Sequence, residues 1–135
     1  MPAIDVLTAT AHELQVLLDK GAVNSQQLVK VYMGQIRKHN HFGMRLNALI
    51  SVAPEESALA WAKAMDDERK ASGKRGPLHG IPIVVKDTIC TPSLGLPTTC
   101  GSYALVDAKA SKDAIIVNRL LAAGALIIGK ANLSV

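Results

Sequence analysis

Apolar residues recur at helical spacing through the first part of the chain. Thr10-Ala11-His12-Glu13 forms a capping box, and Leu14, Leu17 and Leu18 follow on one side of the helix it opens. Gly21 marks the stop of that helix. Asn24, with Gln27 three residues on, opens a second helix whose apolar stripe is Leu28, Val31, Tyr32 and Ile36. Two short helices on a brief turn read as a packing layer. The stretch from Leu46 to Val52 predicts a strand, and Pro54 suits the first turn of a third helix. There Leu59, Ala62 and Met65 fall on one side with Ala58 and Trp61 beside them, while the charge run Asp66 to Lys70 predicts a solvated face.

The pattern then changes. Gly76-Pro77-Leu78-His79-Gly80 feeds the short run Ile81, Ile83, Val84 and Val85, mostly β-branched, which predicts a strand buried on both faces as in a parallel sheet. Lys86 ends that strand at its carboxyl end, where open α/β sheets place their sites. Thr88 to Ala110 is irregular, with several Gly, Pro, Ser and Thr residues, and a stretch of that length inside a domain reads as a functional loop. Ser111 or Asp113 begins a helix carrying Ile116, Val117, Leu120 and Leu121, and Gly124 ends it. Ala125 to Ile128 predicts a second buried strand, so strand, helix and strand make a right-handed βαβ unit around a parallel pair. There is no internal repeat, low-complexity tract or convincing domain boundary.

Composition narrows the partners. At 135 residues and 49% hydrophobic content the chain is long enough for one domain with a core. The formal charge of +4 is modest, Lys70, Lys74 and Arg75 form the only tight basic cluster, and aromatics are 3%, which argues against a nucleic-acid surface. Cys90 and Cys100 lack metal or redox spacing and read as two thiols in a reducing compartment. No signal segment is visible, and the longest apolar run, Leu120 to Ile128, is too short to cross a bilayer. The expected location is the cytoplasm, without membrane or nucleic-acid partners.

Three patterns invite chemistry. His39 and His41 flank Asn40 at a helix end, but no carboxylate or cysteine lies nearby in sequence, so solvated histidines at a helix C-terminus are expected and no metal. Gly124-xxxx-Gly129-Lys130-Ala131 approaches a phosphate loop, with Ala131 where the magnesium-binding hydroxyl belongs. Its intervening residues are themselves the strand and cannot wrap a phosphate while pairing in a sheet. Lys86 is the serious candidate. A free lysine, with a pKa of about 10.4, is a poor base at neutral pH, and desolvation favours its neutral form. Asp87 beside it would oppose that if it faced the amine, but adjacent strand residues point to opposite faces.

The Gly76 to Asp87 stretch, with Thr98-Thr99-Cys100-Gly101-Ser102 and Gly124 to Asn132, resembles the amidase signature family, which includes fatty acid amide hydrolase and the A subunit of glutamyl-tRNA amidotransferase. The resemblance is most specific from Gly76 to Ser134. It implies an α/β/α sandwich with a mixed, largely parallel sheet, of which this chain is the N-terminal part: a helical layer over about 8–72 and a βαβ core over about 76–135. It also implies amide hydrolysis by a Ser–cis-Ser–Lys triad without metal or organic cofactor. Lys86 matches the lysine base. The relay serine takes a proton from the nucleophilic serine and passes one to the lysine, and the nucleophile forms an acyl-enzyme that water resolves.

In that family the two serines lie downstream of the segment matching Gly124 to Asn132, and this sequence reaches Val135 first. A glutamate usually follows the serine there, and Val135 stands in its place. Ser93, Ser102, Ser111 and Ser134 lie in the wrong segments to replace the pair. The expectation is a partial amidase domain that is inactive alone and weakly stable. The alternatives are an interaction module that pairs with a full-length amidase and, ranked last, a small nucleotide-binding domain. The resemblance also implies that the channel binding the acyl group is built largely from later segments.

Overall fold

The computed structural model describes residues 4–134. Its helices are α1 (Ala11–Asp19), α2 (Ser25–His39), α3 (Glu55–Ser72) and α4 (Ile115–Ala122), and its strands are β1 (Leu49–Val52), β2 (Pro82–Lys86) and β3 (Leu126–Ala131). The strands form one mixed sheet in the order β1-β3-β2, with β2 parallel and β1 antiparallel to β3. The fold is α/β.

Local chemistry starts the first two helices where the sequence predicts. Thr10 Oγ1 accepts from the Glu13 amide at 3.2 Å while the Glu13 carboxylate accepts from the Thr10 amide at 2.8 Å. Asn24 and Gln27 make the same reciprocal pair at 2.8 and 2.9 Å. The buried line of α2 is Leu28, Val29 and Met33, with Tyr32 and Ile36 on its flank, slightly rotated from the expected stripe. Ala58 and Ala62 are fully buried, and these small residues let α3 pack closely against α2 and β3.

The Gly-Pro-Leu-His-Gly loop lashes β2 to the helices. His79 is completely buried; its Nε2 donates to the Met65 carbonyl at 2.9 Å and its Nδ1 accepts from the Arg75 amide at 3.3 Å. The His79 carbonyl accepts from Gln15 Nε2 at 2.8 Å and Arg69 Nη2 at 2.9 Å, and the Gly80 amide donates to the Gly124 carbonyl at 2.8 Å. One loop thereby ties α1, α3 and the turn before β3 together.

Several expectations need correction. The charge run is not simply solvated: Asp66 is buried and caps α2, accepting from the Ser25 amide at 2.7 Å and the Gln26 amide at 3.2 Å. A carboxylate at a helix N-terminus is stabilised by the unsatisfied amides there. Arg69 leaves the same run to pair with Asp19 at 2.6 Å. The predicted strand from Leu46 shortens to Leu49–Val52, because Arg45 and Asn47 adopt left-handed backbone. Asp113 does not open α4; its carboxylate accepts from the Ser93 amide and hydroxyl, at 3.0 and 2.5 Å, and the helix begins at Ile115. Ile116, expected inside, is exposed.

The sheet departs from expectation as well. β3 extends to Ala131, so Gly129 and Lys130 are strand residues paired to both neighbours. The apparent phosphate loop is therefore central strand. β1 returns from earlier in the chain to flank β3 on its other side. β2 is an edge strand here: Ile81 and Val85 are buried and Ile83 half-buried, whereas Val84 and Lys86 are exposed. Nothing among the described residues covers that second face.

Candidate functional site

Lys86 stands where the sequence places it, at the carboxyl end of β2, opposite Ala131 of the parallel neighbour. Its side chain is exposed, and Nζ donates to the Asn132 carbonyl at 2.6 Å, just past the end of β3. The amine thus lies across the carboxyl ends of the two parallel strands. Strand alternation sends Asp87 to the other side, as expected, where it is 1% exposed.

On that buried side lies a group that the sequence offered only within the discarded phosphate-loop pattern. Val85 pairs with Lys130, so Lys130 projects from β3 on the same side as Asp87, and it is completely buried. Its Nζ lies 3.8 Å from Asp87 Oδ1. It donates to the Pro97 carbonyl at 2.9 Å and to Thr98 Oγ1 at 3.1 Å. Asp87 Oδ2 accepts from the Thr99 amide and hydroxyl at 3.2 and 3.3 Å, while Oδ1 has no hydrogen-bond donor among the described residues and faces the ammonium. Burial pushes the Lys130 ammonium below the ordinary lysine range, and the Asp87 carboxylate pulls the other way. The available signal was a lysine and an aspartate at the ends of two apolar runs predicted to pair in parallel; their common face depends on a register that spacing alone does not give.

The Thr98-Thr99-Cys100-Gly101-Ser102 stretch is held by these contacts. It turns through left-handed backbone at Cys100 and Gly101, with φ of 51° and 67°. A side chain on Gly101 would lie 3.9 Å from Leu133, next to the residue whose carbonyl receives Lys86. Three segments therefore converge: the end of β2, the end of β3 and this loop. Among the described residues none of the four serines set aside from the sequence bonds Lys86, which donates to the Asn132 carbonyl; Ser93 engages Asp113 and Ser102 caps a 3-10 turn.

His39 and His41 do not converge on a ligand set. The His41 ring lies between Asn40 Nδ2 and Asn47 Oδ1, each at 3.1 Å, and among the described residues no three His, Cys, Asp or Glu side chains group to hold a metal. Cys90 and Cys100 are free thiols. No described helix is long and apolar enough to cross a membrane.

Comparison with known proteins agrees with this geometry. The family model named Amidase matches residues 27–135. The A subunit of glutamyl-tRNA(Gln) amidotransferase from Halorhodospira halophila is 40% identical over 124 residues, covering 92% of this chain and 24% of that protein. A putative amidase of Schizosaccharomyces pombe is 37% identical over 126 residues, covering 93% of this chain and 21% of its own length. The crystal structure of the peptide amidase from Stenotrophomonas maltophilia superposes with a TM-score of 0.87 at 37% identity, over 96% of this chain and 26% of that one. An amidase family protein from Bacillus anthracis gives 0.87 at 38% identity, over 96% and 25%. The chain spans about a quarter of the length of these relatives. With a family model over most of its residues and the same fold in the solved amidases, the chain belongs to the amidase signature family.

Proposed function

We propose that this chain carries the general base of an amide hydrolase, with Lys86 as that base. The observation that supports the reading is the placement of the Lys86 amine, exposed across the carboxyl ends of a parallel strand pair and held by the Asn132 carbonyl. A neutral amine there would take the proton of a relay serine as that serine takes the proton of the nucleophile, whose oxygen attacks the amide carbonyl. The proton returns through the relay serine to the substrate nitrogen as the amide C–N bond breaks and the product amine departs. Water then cleaves the acyl-enzyme ester to release the acid and restore the serine. Any surface packed over Lys86 removes its amine from water and favours the neutral, proton-accepting form. In this reading both serines come from the part of the fold outside the quarter that this chain spans. The substrate class is a small-molecule amide and the location the cytoplasm, where Cys90 and Cys100 stay reduced.

The test is to co-express the chain with the C-terminal portion of the Stenotrophomonas peptide amidase that its match leaves uncovered, and to measure amide hydrolysis. Hydrolysis that drops about a hundredfold or more in Lys86→Ala supports the base. Undiminished hydrolysis in that variant, or turnover by the chain alone, rules the reading out.

A second reading has its own support. Val84, Ile115 and Ile116 are 46%, 73% and 48% exposed, and β2 has no partner on its outer edge among the described residues. Such a surface suits a non-catalytic module that associates with a full-length amidase. Co-purification with one, unaffected by Lys86→Ala, would favour this reading.

A further inference from the structure

We infer that the buried Asp87–Lys130 pair is a positioning device for the Lys86 amine, acting through the Pro97–Thr99 loop and the end of β3. The inference rests on the reading of Lys86 as the base. The pair and the amine occupy opposite sides of the same two strand ends, since Val85 pairs with Lys130 and Lys86 with Ala131. From the buried side, Lys130 holds the Pro97 carbonyl and Thr98 hydroxyl, and Asp87 holds the amide and hydroxyl of Thr99. The Asp87 amide also donates to the Ala131 carbonyl at 3.0 Å. The end of β3 and the residue after it are thus held at two successive carbonyls: that of Ala131 by the Asp87 amide and that of Asn132 by Lys86 Nζ.

Chemistry argues that this arrangement serves geometry. Two buried ions gain little over a well-packed apolar pair of the same volume, because each loses its hydration. What an apolar pair cannot do is bond the loop at Pro97, Thr98 and Thr99 in one fixed register. The side-chain hydrogen bonds of Asp87 and Lys130 go to Pro97, Thr98 and Thr99 and not to Lys86 Nζ or the Asn132 carbonyl, so they act on the amine by setting where that carbonyl lies. They are positioning residues.

The experiment reads the amine directly. Trace acetylation with acetic anhydride, followed by mass spectrometry, gives the labelling rate of Lys86 relative to Lys20 and Lys38 within the same 135-residue chain. It is run on the parent, Asp87→Asn, Lys130→Met, Thr98→Val and the double variant Asp87→Asn/Lys130→Met. Releasing Lys86 from Asn132 is expected to raise its relative labelling roughly three- to tenfold in the charge variants, and less in Thr98→Val. The double variant buries no unpaired ion, so its melting returns toward the parent while its Lys86 labelling stays raised. Unchanged Lys86 labelling in the folded double variant overturns the inference. So does labelling that returns to the parent value along with stability, or a rise shared equally by Lys20 and Lys38, because either assigns the pair to structure alone. The readout is independent of turnover: loss of hydrolysis in Lys86→Ala bears on the base, and the labelling bears on the clamp.

Discussion

Gly124 packs so closely on the buried His79 ring that a Cβ at Gly124 would lie 2.7 Å from His79 Nδ1. Its φ is +81°, in the left-handed region that favours glycine. The contact presses the turn that starts β3 onto the loop that starts β2, and so sets the parallel pair side by side. Gly124→Ala is expected to cost about 3 kcal/mol, part backbone strain and part overlap with a ring that cannot move. Gly95→Ala is the control: φ there is +67° with nothing within 4 Å, and only the backbone penalty of about 1 kcal/mol applies. Urea midpoints of the two variants check the difference; equal costs would show that His79 yields.

Asp66 joins α3 to the start of α2. Asp66→Ala removes the acceptor of the Ser25 and Gln26 amides and is expected to cost about 1–2 kcal/mol. Hydrogen exchange should quicken first at Ser25 and Gln26. Were Asp66 on a solvated face, the same change would leave stability within about 0.5 kcal/mol.

Lys130 makes stability depend on alkaline pH. Burial lowers its pKa in the folded chain, against the opposing pull of Asp87. Between that lowered value and the unfolded value of about 10.4, the folded chain binds fewer protons at this site than the unfolded chain does, so the site's contribution to stability rises with pH. Lys130→Met removes that rise. Lys63, whose pKa Asp67 raises, pulls the opposite way, but it does so equally in both proteins and cancels in the comparison. Urea midpoints of parent and variant from about pH 7 to about pH 10 should diverge in favour of the parent. A constant gap would mean that Lys130 titrates alike folded and unfolded.

The uncovered surface sets the behaviour of the isolated chain. Val84, Ile115, Ile116 and Tyr103 are exposed, and β1 and β2 each have an open outer edge among the described residues. Apolar patches beside unpaired edges favour association. The purified chain should melt broadly, with a midpoint that shifts with concentration. A sharp melt of a monomer, the same at every concentration, would contradict this.

Much of this architecture was legible along the chain because it rests on neighbours in sequence. The two capping boxes, the β-branched run into Lys86 and the helical spacing before Gly124 are local, and each produced the element expected. The family resemblance stood on Gly76 to Asp87 and the later glycine-flanked strand, and the Amidase match over residues 27–135 agrees with it. The errors came where a distant partner outbid a local preference. Asp66 belongs by spacing to a solvated run, yet the free amides of α2 draw it inward. Asp113 is placed to cap its own helix, but bonds Ser93 twenty residues away.

The sequence by itself determined the order of helices and strands, the location of Lys86 at a strand end and the opposite facing of Asp87, since capping, β-branching and the two-residue period of a strand act within a few residues. Only the tertiary structure decided that β1 returns to flank β3, that Asp87 and Lys130 meet in the dark of the sheet, and that one face of β2 stays open. Those outcomes depend on strand order and register, which are set by which surfaces bury one another rather than by the residues of any one segment.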